Sequence, residues 1–308
     1  MRRWAYSLIF YCVIAFVCLE HAFAADRVAV FVSIAPQKYF VQQIGKDLVD
    51  VQAMVPPGAS PATYEPKPRQ MAALSKTQIY FAIGVPFENT WLNKIAAANP
   101  EMKVVHTDEG IEKLAMAGHD HDAAEGEHHT DQRHARAAQG SHQHGSGGLD
   151  PHIWLSPPLV KIQARTILAA LQENDPAHRR IYEDNFREFA ARIDQLDNDL
   201  QKTFAGRPGL TFIVFHPSWG YFAQAYGLHQ VAIEIEGKSP KPAQLTTLIQ
   251  QARKRGIRVV FVQPQFATKS AALVAREIGG QVAIADPLAE DWMANLRAVS
   301  EKLKAALP

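Results

Sequence analysis

Cysteine is nearly missing from this chain of 308 residues, and both of its cysteines, Cys12 and Cys18, fall within the first 24. Those 24 residues read as a targeting segment. Arg2 and Arg3 supply the positive start, Tyr6 to Leu19 the apolar run, and Ala22-Phe23-Ala24 the small-x-small cleavage pattern. With that leader gone, no disulfide framework and no thiolate ligand remain. Val17 is also bulkier than lipid attachment at Cys18 tolerates, which argues against a lipoprotein. Charge of one sign is missing too. The leader carries Arg2, Arg3 and Glu20, so of 32 basic and 31 acidic residues equal numbers stay in the mature chain. A net charge of zero argues against nucleic acid or an anionic membrane as partner. After the leader no apolar run approaches the ~18 residues of a membrane span. The expectation is an exported, soluble protein beginning near Ala25, in a periplasm.

One stretch also lacks apolar residues. Between Ala117 and Gly148 the only apolar type is Ala, so the segment cannot bury a core of its own. What it holds instead is histidine: His119, His121, His128, His129, His134, His142 and His144, seven of the thirteen in the chain. Imidazole- and carboxylate-rich tracts read as binding transition metals. The plainer alternative is a polar insertion whose histidines are accidental. The tract runs into Leu149-Asp150-Pro151-His152-Ile153-Trp154-Leu155, an apolar motif with one more histidine.

On either side of this tract, short β-rich runs alternate with helical patterns. Before it, strands are expected at 27–34, 48–55, 78–83 and 102–106, and helices at 36–45, 68–75 and 87–98. After it, strands are expected at 210–215, 229–235, 258–262 and 281–285, and helices at 218–226, 242–255, 268–278 and 290–307. Such alternation predicts α/β architecture with parallel sheets flanked by helices. Between the two sets, Ser156-Pro157 and Asp175-Pro176 each give an N-cap followed by Pro. Tyr182, Phe186, Phe189, Ile193, Leu196, Leu200 and Phe204 recur at steps of three and four. A helix from Pro176 to Ala205 would be about 45 Å long, a rod joining two lobes. The implied division is 25–156 for the first lobe with its histidine-rich loop at 117–148, 157–206 for connecting helices, and 207–308 for the second lobe. Tyr39-Phe40 and Tyr221-Phe222, each entering a helix after a strand, suggest a weak internal repeat.

In open α/β sheets ligands bind beyond the carboxyl ends of strands. That rule picks out His216, Asp286, His106 and the loop Pro56 to Glu65. His152, between the polar tract and a helix start, joins them. A cleft between lobes can gather His152 from one side with His216 and Asp286 from the other. Two imidazoles with a carboxylate suit zinc, manganese or iron, whereas calcium and magnesium prefer oxygen. Taken singly, a histidine at a strand end is more often a hydrogen-bonded structural residue, and His106 is left in that role.

Five stretches together resemble the substrate-binding receptors of metal-ion ABC importers, the zinc- and manganese-uptake group. They are Val55-Pro56-Pro57-Gly58-Ala59-Ser60-Pro61, Tyr64-Glu65-Pro66, Asp150 to Pro157, Phe215 to Phe222, and Ile235-Glu236-Gly237-Lys238-Ser239-Pro240. The resemblance covers essentially the whole mature chain. It implies two α/β lobes joined by a long helix, a metal held between them, and a membrane permease as partner. It also implies His152 and His216 as ligand histidines and Asp286 as the carboxylate that some members use. One departure stands out: where the family usually carries its first ligand histidine, this chain has Ala62, whose methyl group cannot coordinate. Glu65, three residues on, is the first candidate to replace it, with a hydrogen-bonding role as its alternative. Glu236 is the poorer candidate.

The expected function is a monomeric receptor that captures a divalent transition metal, zinc first, and delivers it to an ABC importer. A manganese or iron receptor of the same family is the alternative, since losing a histidine shifts the donor set toward oxygen. A zinc hydrolase is the alternative of another class, because three protein ligands leave an open position. Against it stand the lack of a His-Glu-x-x-His run and of any base spaced to serve a bound water. An adhesin on the same scaffold is a third, weakened by the missing lipid-anchor cysteine.

Overall fold

The computed structural model describes residues 27–116, 148–206, 209–234, 238, 240–266 and 269–306. The leader, the seven histidines of the polar tract and Glu236 lie outside the described residues.

Among the described residues, eight strands form two parallel sheets of four. β1 (Val28–Val32), β2 (Val49–Ala53), β3 (Ile79–Ala82) and β4 (Lys103–His106) lie in the order β2-β1-β3-β4. β5 (Thr211–Val214), β6 (His229–Ala232), β7 (Val259–Val262) and β8 (Gln281–Ile284) lie in the order β6-β5-β7-β8. The two halves share one topology, as the faint internal repeat suggested. Central strands β1 and β3 are near-continuous apolar runs because helices cover both faces. β2, at an edge, alternates buried Val49 and Val51 with exposed Asp50 and Gln52.

In the first half the helices are α1 (Ala35–Gly45), α2 (Pro68–Ala73) and α3 (Pro86–Ala98). Next come α4 (Pro157–Asn174) and the long α5 (Arg179–Phe204). The second half adds α6 (Gly220–Ala225), α7 (Pro242–Lys254), α8 (Lys269–Glu277) and α9 (Trp292–Ala306). α5 joins the halves, but it starts later than expected. Pro176–His178 forms a separate 3₁₀ turn, so the α-helical rod is 26 residues, about 39 Å. Asp175 is the reason. Its Oδ2 is the partner of His178 Nδ1 at 2.7 Å and accepts from the Tyr182 hydroxyl at 2.8 Å, which tightens the entry turn. Ser156 does precede α4 in extended conformation with Pro157 in the first turn, yet its hydroxyl makes no cap hydrogen bond.

The larger of two hydrophobic cores among the described residues passes through both halves. It joins Phe31, Phe40 and Phe81 around the first sheet to Phe189, Ile193 and Leu196 of α5, and on to Phe222, Trp292 and Leu296. α9 belongs to the second half by sequence, yet its first turn packs on the first: the Trp292 and Phe40 rings meet edge to face at 5.2 Å. A second, smaller core, including Ile213, Val260, Leu248 and Val274, lies on one face of the second sheet.

Glu88, in the first turn of α3, ties that helix to the carboxyl end of β3. It is buried, and its carboxylate accepts the N–H of Ile83 at 3.0 Å and of Gly84 at 2.8 Å. Burial pushes its carboxyl above the ordinary range, opposed by hydrogen bonds from Ser33, Ile83 and Gly84. The folded chain therefore holds this proton more tightly than the unfolded one. The group's contribution is full below the unfolded value and is lost as pH rises through the folded one. Glu88→Ala leaves two buried donors unpaired and should cost about 1–3 kcal/mol in urea unfolding. Glu88→Gln keeps an acceptor without the charge, so its stability relative to the parent should climb as pH rises above the unfolded carboxyl's value of about 4.3. Parallel pH profiles for the parent and the Gln variant would refute the assignment.

Candidate metal site

His152 and His216 arrive from different halves. Asp150 to Leu155 forms the link between the polar tract and α4, and its geometry starts at Asp150. Asp150 Oδ1 accepts the backbone N–H of His152 at 2.9 Å, an Asx turn, and is also 2.7 Å from His152 Nδ1. The backbone of Asp150 is itself held: its N–H bonds to Leu114 O at 2.8 Å, and its carbonyl accepts the Tyr221 hydroxyl, also at 2.8 Å. Ala115 and Leu149 form an antiparallel bridge, so the chain enters and leaves the polar tract at one place. Gly220 eases the close approach of Asp150, since a Cβ there would lie 3.0 Å from its Oδ2.

His216 stands two residues past β5, and Glu234 two residues past β6. Parallel pairing of Val214 with Ala232 sets these two side by side. His216 Nδ1 lies 2.8 Å from Glu234 Oε1, and Glu234 is buried. The loop after β7 holds His216 from the other side. Gln263 Oε1 accepts the His216 N–H at 3.2 Å, and Gln263 Nε2 donates to the His216 carbonyl at 2.7 Å. Phe266 stacks on the imidazole at 4.8 Å.

The two imidazoles meet with ring centroids 5.3 Å apart and planes at 70°. Each has its Nδ1 on a carboxylate, which leaves Nε2 as the ring nitrogen available to a ligand. An ion about 2.0–2.1 Å from each nitrogen sits roughly 3.2 Å from each centroid, and a tetrahedral angle then spaces the centroids roughly 5.2 Å. The observed spacing fits one shared ion. Burial lowers the pKa of His152, while Asp150 pulls it upward and the neighbouring His216 lowers it further. A neutral imidazole is the form that coordinates.

The other expected ligands are placed differently. No three His, Cys, Asp or Glu side chains among the described residues converge on one point. Asp286 follows β8, and the elements around it touch both imidazoles. Its neighbour Pro287 accepts a hydrogen bond from Trp154 Nε1 at 2.7 Å, and Trp154 packs 5.1 Å from His152. Glu65 is exposed in the loop after β2. Ala62 is exposed in the same loop, its N–H on Ser60 Oγ at 3.3 Å. His106, at the end of β4, is 3.7 Å from Asp108 Oδ1 and belongs to a different cluster. Asp150 and Glu234, which hold the two rings, were not anticipated as such.

Residues 30–306 match the family model described as zinc-uptake complex component A, periplasmic. The high-affinity zinc uptake system protein ZnuA of Bacillus subtilis is 29% identical over 267 residues, 85% of this chain and 79% of its own. A crystal structure of a ZnuA superposes with a TM-score of 0.81 at 44% identity, covering 92% of this chain and all of that one. A ZnuA deletion mutant with zinc bound gives 0.79 at 43% identity, covering 91% and 98%.

Carboxylates behind ligating imidazoles set tautomer and basicity, and removing one typically lowers metal affinity 10- to 100-fold. Asp150→Ala and Glu234→Ala should each weaken zinc binding by roughly that factor in calorimetric titration. Wild-type affinity in both variants would remove these carboxylates from the site.

Proposed function

The chain belongs to the periplasmic zinc-uptake complex component A family, and from that premise we propose that it captures one zinc ion between its halves and hands it to a membrane permease. It is a substrate-binding receptor of the metal ABC importer class, with zinc as its cargo and manganese as the family's alternative. In this reading residues 25–156 and 207–308 are the two jaws and 157–206 the connecting helices. His152 and His216 supply imidazole nitrogen and Asp286 supplies oxygen. Glu65 is the candidate for the fourth position that Ala62 leaves open. The observation that carries the ligand set is the pair of imidazoles from opposite halves, 5.3 Å apart, each backed by a carboxylate.

The family is one of transport receptors and works with an ABC importer. We read the chain further as a monomer with no catalytic role and no nucleic-acid partner. The carboxylates beside the imidazoles are engaged by Nδ1, so neither is poised as a general base for a metal-bound water. The family acts in the periplasm or outside the cell, and among the described residues no helix is long and apolar enough to cross a membrane. A periplasmic location after cleavage of residues 1–24 completes the proposal.

Zinc titration of the mature protein tests it. Binding energies for zinc of about 10–16 kcal/mol shared among four ligands imply that losing one costs roughly 100-fold or more. His152→Ala and His216→Ala should each show that loss. Deleting 119–144 should leave the cleft affinity unchanged while lowering the number of bound equivalents. Full-strength capture by the double alanine variant in the deleted background would end this reading.

A further inference from the structure

Asp286 differs from the two histidines in how it is held. Its Oδ1 accepts two hydrogen bonds, from Gln265 Nε2 at 2.9 Å and from the Leu288 N–H at 3.0 Å. Its carbonyl takes a third, from Asn295 Nδ2 at 2.7 Å. No described residue donates to Oδ2. Of the groups on the carboxylate, Gln265 is the one side chain. It comes from the loop after β7, between Gln263, which clamps His216, and Phe266, which stacks on that imidazole. The remaining amide atom, Gln265 Oε1, is buried and accepts nothing from the described residues.

We infer that Gln265 is a positioning residue of the metal site, fixing the Asp286 carboxylate so that Oδ1 stays with the protein and Oδ2 is presented to the ion. Gln263, Gln265 and Phe266 then make one short loop that sets two ligands from different strands, His216 and Asp286, without touching the metal. The inference rests on the ligand reading proposed above. An oxygen donor held in one orientation contributes to affinity because its ordering is completed before the ion arrives.

The test uses Gln265→Met, which keeps the side-chain length and removes the donor. Zinc affinity is measured by calorimetry and the electronic absorption spectrum with Co²⁺, alone and in an Asp286→Ala background. The thermal midpoint of the metal-free protein is followed in each variant. The expected result is a roughly 10- to 100-fold weaker zinc affinity, with an altered Co²⁺ spectrum and a metal-free midpoint like the parent's. In the Asp286→Ala background, Gln265→Met should add almost nothing, because Gln265 acts only through the Asp286 carboxylate. The inference is overturned if Gln265→Met binds zinc and Co²⁺ like the parent while His152→Ala and His216→Ala fail. In that case the ligand histidines stand and Gln265 does not. It is overturned equally if the losses from Gln265→Met and Asp286→Ala add in full. Should the histidine variants themselves keep full affinity, the ligand reading fails, and this inference fails with it.

Discussion

Two carboxylate–imidazole hydrogen bonds, Asp150 to His152 and Glu234 to His216, are the constraint on which the site depends. A buried imidazole left alone has two nitrogens to satisfy and two tautomers to choose between. A carboxylate on Nδ1 settles both questions by accepting a hydrogen bond from Nδ1–H and leaving Nε2 with its lone pair. The arrangement also answers the cost of burial. His152 is almost fully enclosed, and desolvation favours its neutral ring. Neutral is the state a metal needs. Fold and chemistry therefore ask the same thing of this residue.

A pair of rings from opposite halves keeps its spacing only if the halves keep theirs. Several contacts cross between them. Trp154 Nε1 donates to Pro287 O, and Trp292 Nε1 donates back to Trp154 O at 2.6 Å. Lys38 meets Glu290 at 2.7 Å, and Arg192 of α5 reaches Gln43 and Tyr39 of α1. The exposed ion pairs add little. The buried indole bonds and the shared core under α5 and α9 count for more, because breaking them strands buried donors and exposes apolar surface. The Tyr221 hydroxyl is placed most directly. It donates to the carbonyl of Asp150 and accepts from the N–H of Leu114, linking α6 to the turn that holds His152.

Much of this was legible in the residues. Alternating β-rich and amphipathic runs gave both sheets, and the stripe from Tyr182 to Phe204 gave the connecting helix, because burial periodicity is a local signal. His152 and His216 stood out by their places after a polar tract and after a strand. Their carboxylates did not, for two different reasons. Asp150 lies two residues from His152, and Asp-Pro-His is a ready Asx turn, so a reading of turn chemistry had the means to find it. Glu234 lies eighteen positions from His216 and becomes its neighbour only through the β5–β6 register, which a single chain does not announce. Once Val214 is known to pair with Ala232, residues two beyond each fall together. The late start of α5 has the same character, since Asp175 competes with the helix through side-chain bonds that no periodicity reveals.

The donor set bears on what the receptor can hold and still release. Imidazole nitrogen suits zinc, and each further carboxylate oxygen moves a site toward manganese. Ala62 removes one nitrogen donor from the pattern the family usually shows. The proposed set then has two nitrogens from His152 and His216, one oxygen from Asp286, and a fourth position whose candidate, Glu65, lies in an exposed loop. A carrier has to give its cargo up, and a fourth ligand on an exposed loop can yield to an incoming donor before either imidazole leaves. Holding the two imidazoles rigidly while taking the fourth ligand from an exposed loop reconciles capture with release: preorganisation raises affinity, and a replaceable fourth ligand keeps exchange accessible. The loss at position 62 and the rigidity behind His152 and His216 are, on this argument, two sides of one design.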